Sequence, residues 1–192
     1  MRMNLPTQLT LFRIGIIPLF VVVFYFPLFG INNYLLTAIY FLAGITDWFD
    51  GYLARKWDQQ SEFGAFLDPV ADKLLVGVAL ILLVSKHPGM FLAIPAAVIM
   101  GREIAISALR EWMANFGEQT KVAVSIIGKF KTAAQMLAIG FLLFEDPIGR
   151  FPTMLIGYLL LYTAAGLTLW SMFMYLRAAW PSLTREQGAD DA

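Results

Sequence analysis

The chain has 192 residues, of which 59% are hydrophobic and 15% charged, and its mean hydropathy is +0.67. This composition excludes an ordinary soluble domain and predicts an integral membrane protein. The 14 basic and 14 acidic residues balance, so no global charge favours nucleic acid, and the lack of cysteine excludes disulfides and thiolate metal sites. Any metal ion must have oxygen or nitrogen ligands, for which a hard cation is the first expectation.

Six apolar stretches approach the roughly 20 residues that cross a bilayer. They cover about residues 9–29, 33–53, 67–85, 90–112, 129–145 and 152–176. The first lacks a signal-peptide cleavage pattern, so we expect it to be retained as a span. Basic residues lie between the second and third stretches, between the fourth and fifth and in both tails, namely Arg55, Lys56, Lys121, Lys129, Arg2, Arg177 and Arg185. The positive-inside tendency therefore predicts that both termini and the connections 54–66 and 113–128 are cytoplasmic.

These observations predict an all-α integral membrane protein, a six-transmembrane-helix bundle with cytoplasmic N- and C-termini. Without an internal repeat or a linker, we expect a single domain over residues 1–180. The polar residues 181–192 are predicted to form a flexible cytoplasmic tail.

Four aspartates lie within the second and third apolar stretches. Asp47 and Asp50 are three residues apart and Asp68 and Asp72 four apart, so each pair shares one face of a helix. The topology brings both pairs to the cytoplasmic side, where four carboxylates would repel each other strongly unless cations neutralise them. Carboxylate oxygens suit Mg²⁺ or Mn²⁺, and four can bridge two ions in an arrangement that assists phosphoryl transfer.

Single members of this group also have structural explanations. Asp68 precedes Pro69, a pattern typical of a helix N-cap, and Gly51 could serve helix packing. Gly51 would equally let a ligand approach the backbone, and Arg55 offers a planar fork for phosphate. Because carboxylates within membrane spans are costly, the group as a whole indicates a functional site.

Eight residues follow the pattern D-x-x-D-G-x-x-A-R-x8-G-x3-D-x3-D, namely Asp47, Asp50, Gly51, Ala54, Arg55, Gly64, Asp68 and Asp72. The pattern resembles the signature of the CDP-alcohol phosphotransferase family, with no departure at any of its eight positions. The segments NLPTQLTLFR, GREIAISALREWMA and GKFKTAAQM resemble a bacterial branch of that family.

The resemblance implies a six-helix membrane fold, usually dimeric, that binds a CDP-linked lipid against two metal ions. An acceptor hydroxyl would attack the phosphorus next to the lipid, and CMP would leave. By position, Asp47 and Asp68 would bridge both ions, Asp50 would bind one, and Asp72 would bind the other and act as general base. The resemblance further implies that the CDP-lipid is held by Thr10, Arg13, Gly51, Ala54, Arg55 and Ser61.

The acidic motif does not identify the acceptor, but a group of basic residues does favour one. Arg102 lies deep in the fourth stretch, Arg110 follows at i+8 on nearly the same face, and Lys129 and Lys131 open the fifth. Such a cluster suits an acceptor with its own phosphate, such as glycerol 3-phosphate. The lysines could instead reflect only the positive-inside tendency, and Arg110 could be a snorkelling surface residue.

We therefore predict an enzyme of a bacterial cytoplasmic membrane that transfers a phosphatidyl group from CDP-diacylglycerol to glycerol 3-phosphate. One alternative is a cardiolipin synthase of the same fold with phosphatidylglycerol as acceptor, because it can share the pattern of Gly128, Lys129, Thr132 and Gln135. Another is a divalent-cation transporter. It is disfavoured because the aspartates lie at one end of the predicted bundle, without a repeat.

Overall fold

The computed structural model describes residues 5–26, 30–57, 62–115 and 126–185. These ranges form six α-helices in the order α1 Leu5–Tyr25, α2 Asn32–Trp57, α3 Glu62–Lys86, α4 Met90–Asn115, α5 Ile126–Phe144 and α6 Thr153–Arg185. Outside the helices, the described ranges contain one isolated bridge, between Ile148 and Phe151, and no strand. The prediction of an all-α protein is confirmed.

Within the described ranges, three helices are long and apolar enough to cross a membrane. These spans are Gln8–Tyr25 in α1, Met90–Met113 in α4 and Thr153–Arg177 in α6, and α5 contains the shorter apolar segment Phe130–Phe144. Helices α2 and α3 contain the residues of the acidic motif. The helices thus support a membrane protein, while six spans with cytoplasmic termini stay a prediction.

The helices pack around one apolar core. Helix α1 contacts α2 and α3, α4 contacts α3 and α6, and α5 lies between α2 and α6. The core includes the fully buried side chains of Phe20, Leu83, Ile99, Ile139 and Leu161. Large apolar side chains also point outward, among them Phe12, Phe91, Leu159 and Phe173. An apolar exterior of this extent fits contact with lipid hydrocarbon.

Both helices of the acidic motif extend further than the apolar stretches predicted. Helix α2 continues to Trp57, so Arg55 lies in a helix and not in the predicted loop. Helix α3 begins at Glu62 and contains Pro69, so the interpretation of Asp68 as a helix N-cap is wrong. The difference arises because Glu, Lys and Arg are good helix formers, which lets a helix continue past its apolar part.

The same extension occurs at the ends of the last three helices. Helix α4 continues to Asn115, and α5 begins at Ile126, before the predicted start at residue 129. Helix α6 continues to Arg185, so residues 181–185 of the predicted tail are helical. Residues 186–192 lie outside the described residues.

A polar network joins three helices at the end of the bundle opposite the aspartates. Glu145, which follows α5, has a φ of +59°, a left-handed conformation that usually favours glycine. Its carboxylate accepts from Lys86 Nζ at 2.8 Å and lies 2.5 Å from His87 Nε2. Its carbonyl oxygen accepts from Thr153 Oγ1 at 2.9 Å. These contacts hold the end of α3 and the turn between α5 and α6 together.

Candidate active site

Two polar residues of α1 contact aspartates of the neighbouring helices. Thr10 and Arg13 are three residues apart, so they share a face of α1, and both are fully buried. Thr10 Oγ1 donates to Asp68 Oδ1 at 2.6 Å, and Arg13 forms an ion pair with Asp47. A buried guanidinium requires such a partner. The contacts therefore fix α1 against the acidic motif, while the predicted role of these two residues toward a CDP-lipid stays a prediction.

Asp72 differs from Asp47 and Asp68 in its contacts. It lines, together with Asp47, a cavity of about 300 Å³ between α2, α3, α4 and α5. Within the part of the chain that the structure describes, Asp72 makes no hydrogen bond or ion pair. As far as the described residues go, both of its carboxylate oxygens lack such a contact, which suits a group that accepts a proton or binds a cation.

The cavity is lined by both apolar and polar side chains. Its apolar lining includes Leu75, Val76, Met100 and Met136, and the absence of a side chain at Gly44 leaves room for the tip of Met136. Its polar lining consists of Tyr40, Asp47, Asp72, Lys73, Glu103, Lys131, Thr132 and Gln135. Apolar lining with a small number of polar groups is typical of sites that bind small molecules.

Glu103 links the two predicted acceptor residues whose side chains the structure describes. Its Oε1 accepts from Lys131 Nζ at 2.5 Å and from a terminal nitrogen of Arg102 at 3.2 Å. The other terminal nitrogen of Arg102 donates to Ser171 Oγ at 3.0 Å, and the guanidinium lies 5.7 Å from the ring centre of Tyr175. Arg102 thus faces α6 and does not line the cavity, whereas Lys131 does.

The charged lining of the cavity suits divalent cations. Three carboxylates, of Asp47, Asp72 and Glu103, face two ammonium groups, of Lys73 and Lys131. Asp47 and Glu103 each have an arginine partner, Arg13 and Arg102, whereas Asp72 makes no ion pair with the described residues. Oxygen donors of this kind suit Mg²⁺ and Mn²⁺. The residues therefore fit the predicted ions in the chemistry of their donors.

A compact metal-ligand group is not found among the described side chains. No three His, Cys, Asp or Glu side chains of the described set lie close enough together to hold an ion. The described set lacks the side chain of Asp50, the fourth predicted ligand. The predicted four-aspartate arrangement is therefore not tested and stays a prediction.

Several other predicted site residues fall outside the described side chains. The backbones of Asp50, Gly51, Ala54 and Arg55 belong to α2, but their side chains are not described, and Ser61 lies outside the described residues. The backbones of Arg110 and Lys129 belong to α4 and α5, again without a described side chain. The roles predicted for these residues stay predictions.

Several polar residues of the cavity had no assigned role in our sequence interpretation. Lys73 directly follows Asp72 in the motif, and Tyr40 precedes Asp47 by seven residues, two turns of α2. Gln135, noted only in the pattern shared with cardiolipin synthases, lies four residues after Lys131, on the same face of α5. Helical spacing from the predicted residues is therefore the signal that would have identified them.

Comparison with known proteins relates most of the chain to one family. The sequence model of the family described as CDP-alcohol phosphatidyltransferase matches residues 3–170. A Haemophilus influenzae protein named CDP-diacylglycerol--glycerol-3-phosphate 3-phosphatidyltransferase is 52% identical over 185 residues, which cover 95% of this chain and 97% of that protein. Proteins of the same name from Salmonella typhimurium and Escherichia coli are 52% and 51% identical over 179 residues, covering 93% of this chain and 96% of each relative.

Proposed function

The chain belongs to the CDP-alcohol phosphatidyltransferase family, and we propose that it transfers the phosphatidyl group of CDP-diacylglycerol to glycerol 3-phosphate. The products are phosphatidylglycerophosphate and CMP. The names of relatives that match almost the whole chain support this substrate pair. The observation that carries the proposal is the cavity in which Asp72 lies near Lys73 and Lys131.

In this reaction Asp72 acts as the general base. The terminal hydroxyl oxygen of the acceptor forms a bond to the phosphorus next to diacylglycerol, and its proton passes to the Asp72 carboxylate. The bond from that phosphorus to the oxygen of CMP breaks, and CMP leaves with the electron pair. Asp72 suits this role because its oxygens have no partner among the described residues and face the cavity.

The four aspartates Asp47, Asp50, Asp68 and Asp72 would hold two divalent ions, Mg²⁺ or Mn²⁺. Bound there, the ions would offset the negative charge of the diphosphate and of the departing CMP. Thr10 and Arg13 contribute by orienting the carboxylates of Asp68 and Asp47. We propose that this support of the ligands is their main role at the CDP-lipid site, because outer partners of this kind fix ligand geometry.

The phosphate of the acceptor binds to the basic side of the cavity. Lys131 is the central residue, because its ammonium group lines the cavity and is held by Glu103. Lys73 supplies a second cation on the same lining. Arg110 and Lys129 remain proposed members of the cluster. For Arg102, the contact with Glu103 favours an indirect contribution, through the position of that carboxylate.

The proposed location is the bacterial cytoplasmic membrane, with six spans, both termini in the cytoplasm and the active site on the cytoplasmic side. The distribution of Lys and Arg supports this orientation. A homodimer and a single domain over residues 1–180 complete the proposal, and both rest on the sequence interpretation alone.

One assay tests the proposed function against its alternatives. The purified protein, in mixed micelles with CDP-diacylglycerol and Mg²⁺, is offered glycerol 3-phosphate, phosphatidylglycerol, serine or inositol phosphate in turn, and CMP release is measured. We expect release with glycerol 3-phosphate. A preference for phosphatidylglycerol would instead favour the cardiolipin synthase. A lack of CMP release with every acceptor, together with Mg²⁺ flux into liposomes, would favour the transporter.

A further inference from the structure

Gln135 is a buried polar residue that the proposed mechanism does not yet use. Its side chain is 7% exposed and lines the cavity that also contains Asp72 and Lys131. Its amide oxygen has no hydrogen-bond partner among the described residues. Buried polar atoms in proteins are almost always hydrogen-bonded, so an oxygen left over at a cavity wall indicates a contact that a ligand completes.

The position of Gln135 on α5 relates it to the acceptor. It lies one turn after Lys131 on the same face, about 6 Å further along the helix axis. Thr132, the other uncharged residue of α5 with a side-chain oxygen on this wall, already donates its hydroxyl to the Gly128 carbonyl at 3.0 Å. A three-carbon acceptor with its phosphate at Lys131 is long enough to reach Gln135, which lies one helical turn away.

We propose that Gln135 determines acceptor specificity: its amide oxygen accepts a hydrogen bond from the middle hydroxyl of glycerol 3-phosphate, the hydroxyl that does not react. This inference rests on the proposed function. The contact fixes the rotation of the three-carbon chain and so directs the terminal hydroxyl toward Asp72. An acceptor without the middle hydroxyl leaves the buried oxygen unpaired, and sites built to bind a hydroxyl discriminate strongly against such analogues.

The test compares two acceptors that differ only in this hydroxyl. CMP release from CDP-diacylglycerol is measured with glycerol 3-phosphate and with 3-hydroxypropyl phosphate, which keeps the phosphate and the reacting hydroxyl. We expect the unmodified protein to prefer glycerol 3-phosphate by roughly tenfold or more in kcat/KM. In Gln135→Met, kcat/KM should fall about tenfold for glycerol 3-phosphate and less than about threefold for 3-hydroxypropyl phosphate.

Two further variants separate hydrogen bonding from packing. Gln135→Asn keeps an amide oxygen on a side chain that is one methylene shorter. Its preference for glycerol 3-phosphate over 3-hydroxypropyl phosphate should therefore be weaker than that of the unmodified protein and stronger than that of Gln135→Met. Met136→Leu changes the adjacent apolar wall without removing a hydrogen-bonding group and should affect both acceptors equally. The KM for CDP-diacylglycerol, measured in every variant, shows that the donor site remains folded.

Each outcome decides the inference. A preference that collapses in Gln135→Met and is partly kept in Gln135→Asn supports it. Equal losses for both acceptors, or no preference in the unmodified protein, would overturn the role of Gln135 and leave the proposed function standing. If Gln135→Met did not fold, the unmodified protein and Gln135→Asn would still decide it. CMP release with neither acceptor would overturn the proposed function and this inference together.

Discussion

Replacement of Lys131 by Gln tests the acceptor site directly. Lys131 is 8% exposed, and its ammonium group lies 2.5 Å from Glu103 Oε1 on the cavity wall. A buried, charge-assisted contact with the acceptor phosphate is worth about 1.5–3 kcal/mol, or roughly 10- to 150-fold in kcat/KM. Because only the acceptor makes this contact, the KM for glycerol 3-phosphate should rise by that factor. The KM for CDP-diacylglycerol should change by less than about twofold.

The same substitution weakens the fold only moderately. Glu103 keeps its contact with Arg102 at 3.2 Å, so the half-buried carboxylate is not left without a cation. We therefore expect a loss of unfolding free energy below the roughly 3–5 kcal/mol that follows when a buried ion pair loses one partner completely. Thermal unfolding of the purified variant measures this loss and shows whether a folded enzyme is being assayed.

Lys86→Gln provides a matched control. Lys86 also pairs with a glutamate, Glu145 at 2.8 Å, but it lies at the opposite end of the bundle and its side chain is 36% exposed. An exposed pair of this kind contributes about 0–1 kcal/mol, and both KM values should stay unchanged. If Lys131→Gln behaved like Lys86→Gln in acceptor kinetics, Lys131 would be a structural cation, and the phosphate site would have to lie elsewhere.

Three further predictions concern the base, the ions and the membrane orientation. Asp72→Asn should nearly abolish CMP release while CDP-diacylglycerol binding stays measurable, and a normal kcat would refute Asp72 as base. Asp47→Asn should raise the Mg²⁺ concentration needed for half-maximal activity, and a titration like that of the unmodified protein would contradict the two-ion site. In separate single-cysteine variants, Gln59→Cys should react with a membrane-impermeant thiol reagent only from the cytoplasm and Gly89→Cys only from outside, and labelling of both from one side would refute the six-span topology.

The number and order of helices could be predicted from the sequence, because apolar stretches of bilayer length are a strong signal. The residues at which the helices begin and end could not be predicted. The stretches 33–53 and 67–85 end or begin where charges appear, but α2 continues to Trp57 and α3 begins at Glu62. Hydropathy reflects the free energy of transferring a side chain out of water, whereas the continuation of a helix depends on backbone hydrogen bonds and helix propensity. Charged residues such as Glu, Lys and Arg have a high helix propensity, so a helix can continue through them.

The acidic motif illustrates what a sequence pattern does and does not specify. Spacing alone predicted that Asp47 and Asp50, and likewise Asp68 and Asp72, share helix faces. It did not indicate which residues of other helices meet them, because contacts between distant segments depend on tertiary packing. Only the family resemblance suggested Thr10 and Arg13, and it did so as contacts of the CDP-lipid. The structure places both against aspartates.

In the basic cluster, too, the sequence did not indicate which residues of other helices each side chain contacts, even for two residues that are neighbours in sequence. Arg102 and Glu103 are adjacent in the fourth apolar stretch, yet successive helical residues point about 100° apart. Glu103 therefore lines the cavity, whereas Arg102 reaches Ser171 on α6. The shared carboxylate still connects the two, because Glu103 accepts from both Arg102 and Lys131.

The contacts of the aspartates also provide an argument for the base that does not depend on the family. Asp68 accepts a hydrogen bond from Thr10, and Asp47 pairs with the Arg13 guanidinium. Each of these contacts occupies an oxygen of the carboxylate. Asp72 has no such partner among the described residues and faces the cavity that contains Lys131. Among the three aspartates whose side chains are described, Asp72 is therefore the one best placed to accept a proton from an acceptor hydroxyl.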